Sequence, residues 1–158
     1  MENIIKVFIA DDNYDFLVTL KKYLNEDKEI EVVGEATDGE EAYQKIVQLK
    51  PDICLLDVIM PHLDGLGVLE RIKENEQVKR PIFLMVSAVG QDKITQKAIA
   101  LGADYYIVKP FDITLLIQRI KEIKNYNPEE LKKQMITTSA REIKAQYITI
   151  DDEKDKEN

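Results

Sequence analysis

Residues 4–13 read IIKVFIADDN, a nearly continuous apolar run followed at once by two aspartates and an asparagine. Runs of this kind, rich in β-branched residues, are typical of a parallel strand that is buried on both faces. Over residues 14–24 the apolar side chains then recur at three- and four-residue spacing, which indicates an amphipathic helix. The start of the chain therefore predicts the first strand and helix of an α/β fold.

The same pattern repeats along the chain. Further strands are predicted over 30–36, 53–56, 82–86 and 105–108, and further helices over 40–49, 66–73, 94–101 and 113–123. Five strands alternating with five helices predict a doubly wound, five-stranded parallel sheet with helices on both faces. Ligands of such sheets bind just outside the carboxyl ends of the strands, so residues at strand ends are the candidates for function.

The alternation stops near residue 125. We therefore expect one domain over 1–125 and a linker tail over 126–158. Pro128 and the two glutamates after it suit the first turn of a short helix, and the almost wholly charged stretch 151–158 is expected to be disordered. The tail is too poor in apolar residues to form a second core.

Composition excludes several functional classes. The 158 residues carry a net charge of -8, which disfavours direct binding to nucleic acid or to an anionic membrane surface. The apolar runs are too short for a membrane span. A single cysteine, Cys54, and an N-terminus without a basic-then-apolar targeting pattern lead us to expect a cytoplasmic protein.

Three aspartates follow predicted strands: Asp11 and Asp12 follow the first, and Asp57 follows the third. Each one, taken singly, is most simply the N-cap of the next helix. Three carboxylates at one edge of a sheet repel one another, and a bound cation relieves that repulsion. Oxygen ligands with no histidine or cysteine cluster favour Mg²⁺ over Zn²⁺, so we predict a magnesium site suited to phosphoryl chemistry.

A hydroxyl and an ammonium group are predicted at the same edge. Ser87 follows the fourth predicted strand and Lys109 follows the fifth. Singly, they are most simply a turn serine and a solvated lysine. Beside the aspartates, the hydroxyl can donate to a phosphoryl oxygen and the ammonium can neutralise its charge.

Four segments together resemble the receiver domain of two-component response regulators, the CheY-like fold: IADDN at 9–13, LLDVIMPHLDGL at 55–66, SA at 87–88 and YYIVKPFD at 105–112. The resemblance extends over about residues 4–124. A narrower resemblance, carried by MPHLDGLGVLERI and SAVGQDKITQKA, is to the receivers of the stage zero sporulation A family of master regulators in spore-forming bacteria.

The resemblance implies a role for each strand-end residue. Asp57 is implied to be the phosphoacceptor, with Mg²⁺ held by Asp12, by Asp11 through water, by Asp57 and by the backbone carbonyl of Ile59. Ser87 and Lys109 are implied to contact the phosphoryl group.

Two residues of the fifth strand and its loop take further roles from the resemblance. Tyr106 is implied to turn inward on activation, and Pro110 to follow a cis peptide bond, although it could simply start the fifth helix in a trans turn.

The side chains of Ile59 and Val89 stand where receivers are thought to tune loss of the phosphoryl group. Both are aliphatic and cannot orient an attacking water, which predicts slow self-dephosphorylation. The expected activity is self-phosphorylation and slow self-dephosphorylation only, so the chain is expected to be a regulatory switch and not an enzyme.

The implied phosphodonor is a histidine-containing phosphotransferase or a sensor kinase, and the phosphorylated form is expected to self-associate. The narrower resemblance implies an effector, a DNA-binding regulator of sporulation, in a domain outside this chain. Alternatives are a free-standing receiver acting through protein contacts and a phosphate-independent module of receiver shape.

Two enzyme-like readings fit less well. A flavin- or nucleotide-binding protein needs a glycine- or hydroxyl-rich loop after the first strand, where this chain reads ADDNYDF. A phosphatase of the haloacid dehalogenase kind needs a DxDx[TV] motif there, which the chain lacks.

Overall fold

The computed structural model of the protein describes residues 3–88 and 92–124. The order of elements is β1 Ile5–Ala10, α1 Tyr14–Glu26, β2 Ile30–Ala36, α2 Gly39–Leu49, β3 Ile53–Leu56, α3 Gly65–Glu74, β4 Ile82–Ser87, α4 Asp92–Ala100, β5 Tyr105–Val108 and α5 Ile113–Lys124. The predicted fold class is confirmed, and the predicted element ends differ from these bounds by two residues at most. Val89 and the proposed tail over 126–158 lie outside the described residues.

The five strands form one parallel sheet in the order β2-β1-β3-β4-β5. The chain leaves β1 toward one side of the sheet and returns to the other side at β3, so the strand order reverses between these two neighbours. In doubly wound folds that reversal opens a crevice at the carboxyl ends of the strands. The topology thus puts the residues after β1 and β3 at the crevice.

The core has two halves, one on each face of the sheet. Successive side chains of β1 enter opposite halves: Phe8 packs with α2, α3 and α4, whereas Val7 and Ile9 pack with α1 and α5. This alternation follows from the two-residue period of a strand. It also explains why the strands read as unbroken apolar runs, because both faces are covered by helices.

Three of the helices begin at side chains that cap their first turn. Asn13, Asp38 and Asp64 cap α1, α2 and α3, each accepting a hydrogen bond from the backbone N–H three residues later. Gly102 follows α4 with a φ of +109°, a left-handed conformation that glycine adopts at little cost. No helix among the described residues has the length and apolar character needed to cross a membrane.

Candidate functional site

The three strand-end aspartates form one cluster at the crevice. Asp11, Asp12 and Asp57 each offer a carboxylate oxygen, and these oxygens lie within 4.8 Å of one another. Asp11 and Asp57 are buried, with 2% and 7% of their surface exposed, whereas Asp12 is exposed. The prediction that the three carboxylates meet at one edge is therefore confirmed.

The observed helix caps argue against the simplest alternative role of these aspartates, which is to cap the helix that follows each of them. Asn13 caps α1 and Asp64 caps α3, so neither Asp12 nor Asp57 is needed to begin the helix that follows it. Two buried carboxylates beside an exposed one have a cost in desolvation and repulsion. A cluster held at that cost without a capping role points to a binding or chemical function.

Backbone groups fix the orientation of the buried aspartates. The Asn13 N–H donates to Asp11 Oδ1 at 2.8 Å, and the Ile59 N–H donates to Asp57 Oδ1 at 3.2 Å. The Asp57 N–H in turn donates to the Ala10 carbonyl at 3.0 Å, which ties the ends of β3 and β1 together. In both Asp11 and Asp57 the second carboxylate oxygen, Oδ2, faces Lys109.

Lys109 brings a positive charge into the cluster. Its Nζ donates a hydrogen bond to Asp11 Oδ2 and lies 3.4 Å from Asp57 Oδ2. Its backbone N–H donates to the Ser87 carbonyl at 2.8 Å, and its peptide bond to Pro110 is cis. The ammonium group is therefore held between the two buried carboxylates from the loop after β5.

Burial raises the pKa of the Asp11 carboxyl above its ordinary value. The nearby Asp57 charge acts in the same direction, and the hydrogen bond from Lys109 acts against both. The charged form of Asp11 is thus disfavoured in the folded protein, although a ligand with positive charge would favour it. Three oxygen donors in this state fit a hard divalent cation such as Mg²⁺.

The structure places the remaining predicted residues around this cluster. Ser87 is fully buried and is the last residue of β4, not the residue after it. Tyr106 lies in β5 and is 3% exposed, so its side chain already lies inside the core half formed with α2, α3 and α4. Ile59 is 56% exposed beside the cluster, and Val89 lies outside the described residues.

One neighbour of the cluster was not identified from the sequence as a functional residue. Phe16 is one of the periodic apolar residues of the first helix, and Lys109 Nζ lies 4.2 Å from the centre of its ring. The helical spacing of Phe16 contains no signal for this contact, because the lysine comes from the loop after β5.

Comparison with known proteins identifies the family. The response regulator receiver domain family matches residues 7–121. The response regulator domain of CheB from Thermotoga maritima is 30% identical, with a TM-score of 0.71 over 79% of this chain and 99% of that one.

Two further solved structures have similar scores. The receiver domain of the putative response regulator NarL from Mycobacterium tuberculosis is 28% identical, with a TM-score of 0.73 over 78% of this chain and 99% of that one. A chain from the CheX–CheY–BeF₃–Mg²⁺ complex of Borrelia burgdorferi is 30% identical, with a TM-score of 0.67 over 77% and 90%. The family match spans most of the chain and includes the whole acidic cluster, so this chain belongs to the response regulator receiver domain family.

Proposed function

We propose that this protein is a phosphorylation-dependent signalling switch in which Asp57 accepts a phosphoryl group from a phosphohistidine donor. The single observation that supports this most strongly is the placement of Lys109 Nζ between two buried carboxylates at the point where the strand order reverses. Receiver domains are phosphoacceptor modules that partner with histidine kinases or phosphotransferases. The site has the groups that such a transfer needs.

In the proposed reaction a carboxylate oxygen of Asp57 attacks the phosphorus atom of the donor. The new O–P bond forms as the P–N bond to the donor imidazole breaks, and the electron pair of that bond stays on the leaving nitrogen. Lys109 neutralises charge on the phosphoryl oxygens, and the Ser87 hydroxyl donates to one of them. The Ile59 N–H keeps the carboxylate aimed into the crevice.

Asp11, Asp12, Asp57 and the Ile59 carbonyl are the groups that we propose hold Mg²⁺. The bound ion would offset the repulsion among the carboxylates and the charge of the incoming phosphoryl group. The related Borrelia burgdorferi complex, which is described with BeF₃ and Mg²⁺, supports this assignment by analogy. Asp12, the exposed member of the cluster, would complete the proposed ligand set from the solvent side.

Ser87 and Tyr106 form the proposed route from phosphorylation to output. Ser87 is the last residue of β4 and pairs with Val108 of β5. Tyr106 lies two residues before Val108 on the same strand. A phosphoryl group that draws the Ser87 hydroxyl toward Asp57 would change the packing between β4 and β5. We propose that this change alters the α4–β5 surface and promotes self-association.

The proposal also includes the division of the chain and the effector that the receiver controls. We assign residues 1–125 to the receiver and 126–158 to a linker. The narrower sequence resemblance favours control of a DNA-binding regulator of sporulation, acting in the cytoplasm. A free-standing receiver that acts through protein contacts is the second candidate, and the net charge of -8 supports protein partners for this chain over nucleic acid or membrane.

Intact-mass analysis after incubation with phosphoramidate and Mg²⁺ tests the acceptor. We expect one phosphoryl adduct on the parent chain, none on Asp57→Asn and none when EDTA replaces Mg²⁺. Asp64→Asn is the matched control, because Asp64 follows the same strand but caps α3, and it should label like the parent.

A folded parent chain that takes no phosphoryl group, beside a receiver that labels under the same conditions, would contradict the proposal. That result would favour the phosphate-independent binding module. Size-exclusion chromatography of the labelled and unlabelled chain then tests self-association.

A further inference from the structure

Lys109 meets an aromatic ring as well as the two carboxylates. Its Nζ lies 4.2 Å from the centre of the Phe16 ring, within the range of a cation–π contact. The two other contacts of this kind among the described residues are longer, 5.7 Å for Arg71 with Tyr43 and 5.8 Å for Arg80 with Phe83. The ammonium group of Lys109 is thus bounded by carboxylates on one side and by a ring on another.

The position of the Phe16 ring is fixed from two directions. The backbone N–H of Phe16 donates to the side chain of Asn13, the cap of α1, at 3.1 Å. The N–H of Asn13 donates in turn to Asp11 Oδ1. Its ring packs edge to face against Phe111, with centroids 6.1 Å apart and planes at 85°. The turn that orients Asp11 therefore also positions the backbone of Phe16, and Phe111 packs against its ring.

Phe111 follows Lys109 by two residues, so the two ring contacts join the same two segments of chain. Phe16 belongs to the first turn of α1, and Phe111 to the loop that carries the lysine. The aromatic pair holds this loop against α1 at the level of the acidic cluster. A lysine side chain otherwise has several rotatable bonds and a large rotamer entropy to lose.

We infer that Phe16 is a positioning residue for phosphoryl transfer, which acts by holding the Lys109 ammonium group through the face of its ring. This inference rests on the proposed function of Asp57. The ring excludes water from one side of the ammonium and offers a weak attraction that does not compete with the phosphoryl oxygens as a third carboxylate would. Lys109 is then free to exchange Asp11 for a phosphoryl oxygen without leaving the site.

A fluorination series at Phe16 separates the electrostatics of the ring from its shape. Mono-, di- and trifluorinated phenylalanine introduced at position 16 weaken the attraction for a cation while changing the volume little. We expect the rate of Asp57 labelling by phosphoramidate to fall stepwise with each fluorine, to about one fifth or less for the trifluoro residue. The same series at Phe111, whose ring contact is with Phe16 and not with the cation, is the matched control and should show no such stepwise trend.

A second measurement needs no phosphorylation. The ring current of Phe16 should shift the Lys109 Hε resonances upfield in the NMR spectrum of the parent chain. Phe16→Leu should return them to ordinary lysine values and slow labelling, whereas Phe16→Tyr, which retains the ring face, should preserve both properties.

The outcomes distinguish this inference from the proposed function. A parent chain that does not label contradicts the proposed function, and the inference fails with it. A parent chain that labels, with Lys109 Hε resonances at ordinary values or with no dependence of the rate on fluorination, overturns the role of Phe16 alone. Equal losses in Phe16→Leu and Phe16→Tyr would also overturn it.

Discussion

Lys109 Nζ lies 3.4 Å from Asp57 Oδ2, and this contact joins the loop after β5 to the carboxyl end of β3. The lysine also donates a hydrogen bond to Asp11, so one ammonium group contacts two buried carboxylates. This arrangement leaves the site with a net negative charge, since Asp12 adds a third carboxylate. The site can therefore accept a cation and still hold an anionic phosphoryl group beside Lys109.

Replacing Lys109 by methionine should slow phosphorylation by about a hundredfold. The substitution keeps much of the side-chain volume but removes the charge that stabilises the transferring group. The rate constant for labelling by phosphoramidate measures the effect. Lys6→Met, which removes a lysine from β1 away from the cluster, is the control. A Lys109→Met rate within threefold of the parent would show that the ammonium is not used.

Replacing Asp12 by asparagine should abolish stabilisation by Mg²⁺ without unfolding the protein. The change removes one of three crowded charges, so without metal the variant should be as stable as the parent or more stable, by about 1 kcal/mol. Thermal unfolding with and without Mg²⁺ measures both effects. Asp15→Asn, outside the cluster, should respond to Mg²⁺ as the parent does. An unchanged Mg²⁺ response in Asp12→Asn would exclude Asp12 as a ligand.

Gly65 is required by a close approach to the backbone of Asp57. A Cβ at this position would lie 2.2 Å from the Asp57 carbonyl oxygen. Gly65→Ala should therefore destabilise the fold by about 1–3 kcal/mol and slow labelling of Asp57, because the clash moves backbone. Chemical denaturation measures the first effect, and the labelling rate measures the second.

Gly67→Ala is the matched control for Gly65→Ala. The three nearest atoms to a Cβ at Gly67 belong to side chains: Leu63 Cδ1 at 2.4 Å, Leu63 Cγ at 3.1 Å and Asp64 Oδ1 at 3.4 Å. The close contact is with the Leu63 side chain, which can move. We expect a smaller loss of stability, offset in part by the helix propensity of alanine. Equal effects of the two substitutions would contradict this account of Gly65.

The ion pair between Asp27 and Lys121 should make stability depend on pH. Lys121 Nζ lies 2.6 Å from Asp27 Oδ2 and joins the end of α1 to α5. The hydrogen bond from Lys121 lowers the pKa of Asp27 below its ordinary value of 3.8, so the contribution is present above pH 3.8 and is lost as the pH falls through the lowered pKa. The same partner raises the pKa of Lys121 above 10.5, so the contribution is also lost as the pH rises through that raised pKa.

Lys121→Gln tests this pH dependence. Its free energy of unfolding should be below that of the parent at neutral pH, and the difference should shrink in acid as Asp27 is protonated. Arg119→Gln on the same helix, which loses a 3.5 Å contact to Glu122, is the control. A difference between Lys121→Gln and the parent that is constant down to pH 2 would assign the effect to lost packing.

The exposed side chain of Ile59 should govern the lifetime of the phosphoryl group. Ile59→Asn introduces an amide that can orient water next to Asp57, so the lifetime should shorten by about tenfold. Phosphate release from the labelled chain measures it. Ile4→Asn changes an isoleucine of similar exposure, 47%, just before the amino end of β1 and serves as the control. A parent chain that loses its phosphoryl group within seconds would contradict the predicted slow self-dephosphorylation.

The amino-acid sequence was enough to predict the class of fold and most residues of the candidate site. Strand and helix periods are local properties, so the alternation of elements could be read from the positions of apolar residues, and the ends of β2, β3 and β5 match the prediction. The edge at which Asp11, Asp12 and Asp57 meet also followed from the chain, because parallel strands put all their carboxyl ends on one side. The cluster is observed there.

Which of these groups are in contact, and how deeply each is buried, depends on the packing of the elements and could not be predicted from the sequence. Lys109 is 98 residues from Asp11, and their contact depends on the strand order and on side-chain conformations that no local pattern records. The same holds for Phe16, whose ring meets Lys109 only because α1 and the loop after β5 lie on the same side of the sheet. Burial of Asp11 and Tyr106 is likewise a property of the packed core. Periodicity reports which face of an element is covered, whereas distances between charges depend on how the elements assemble.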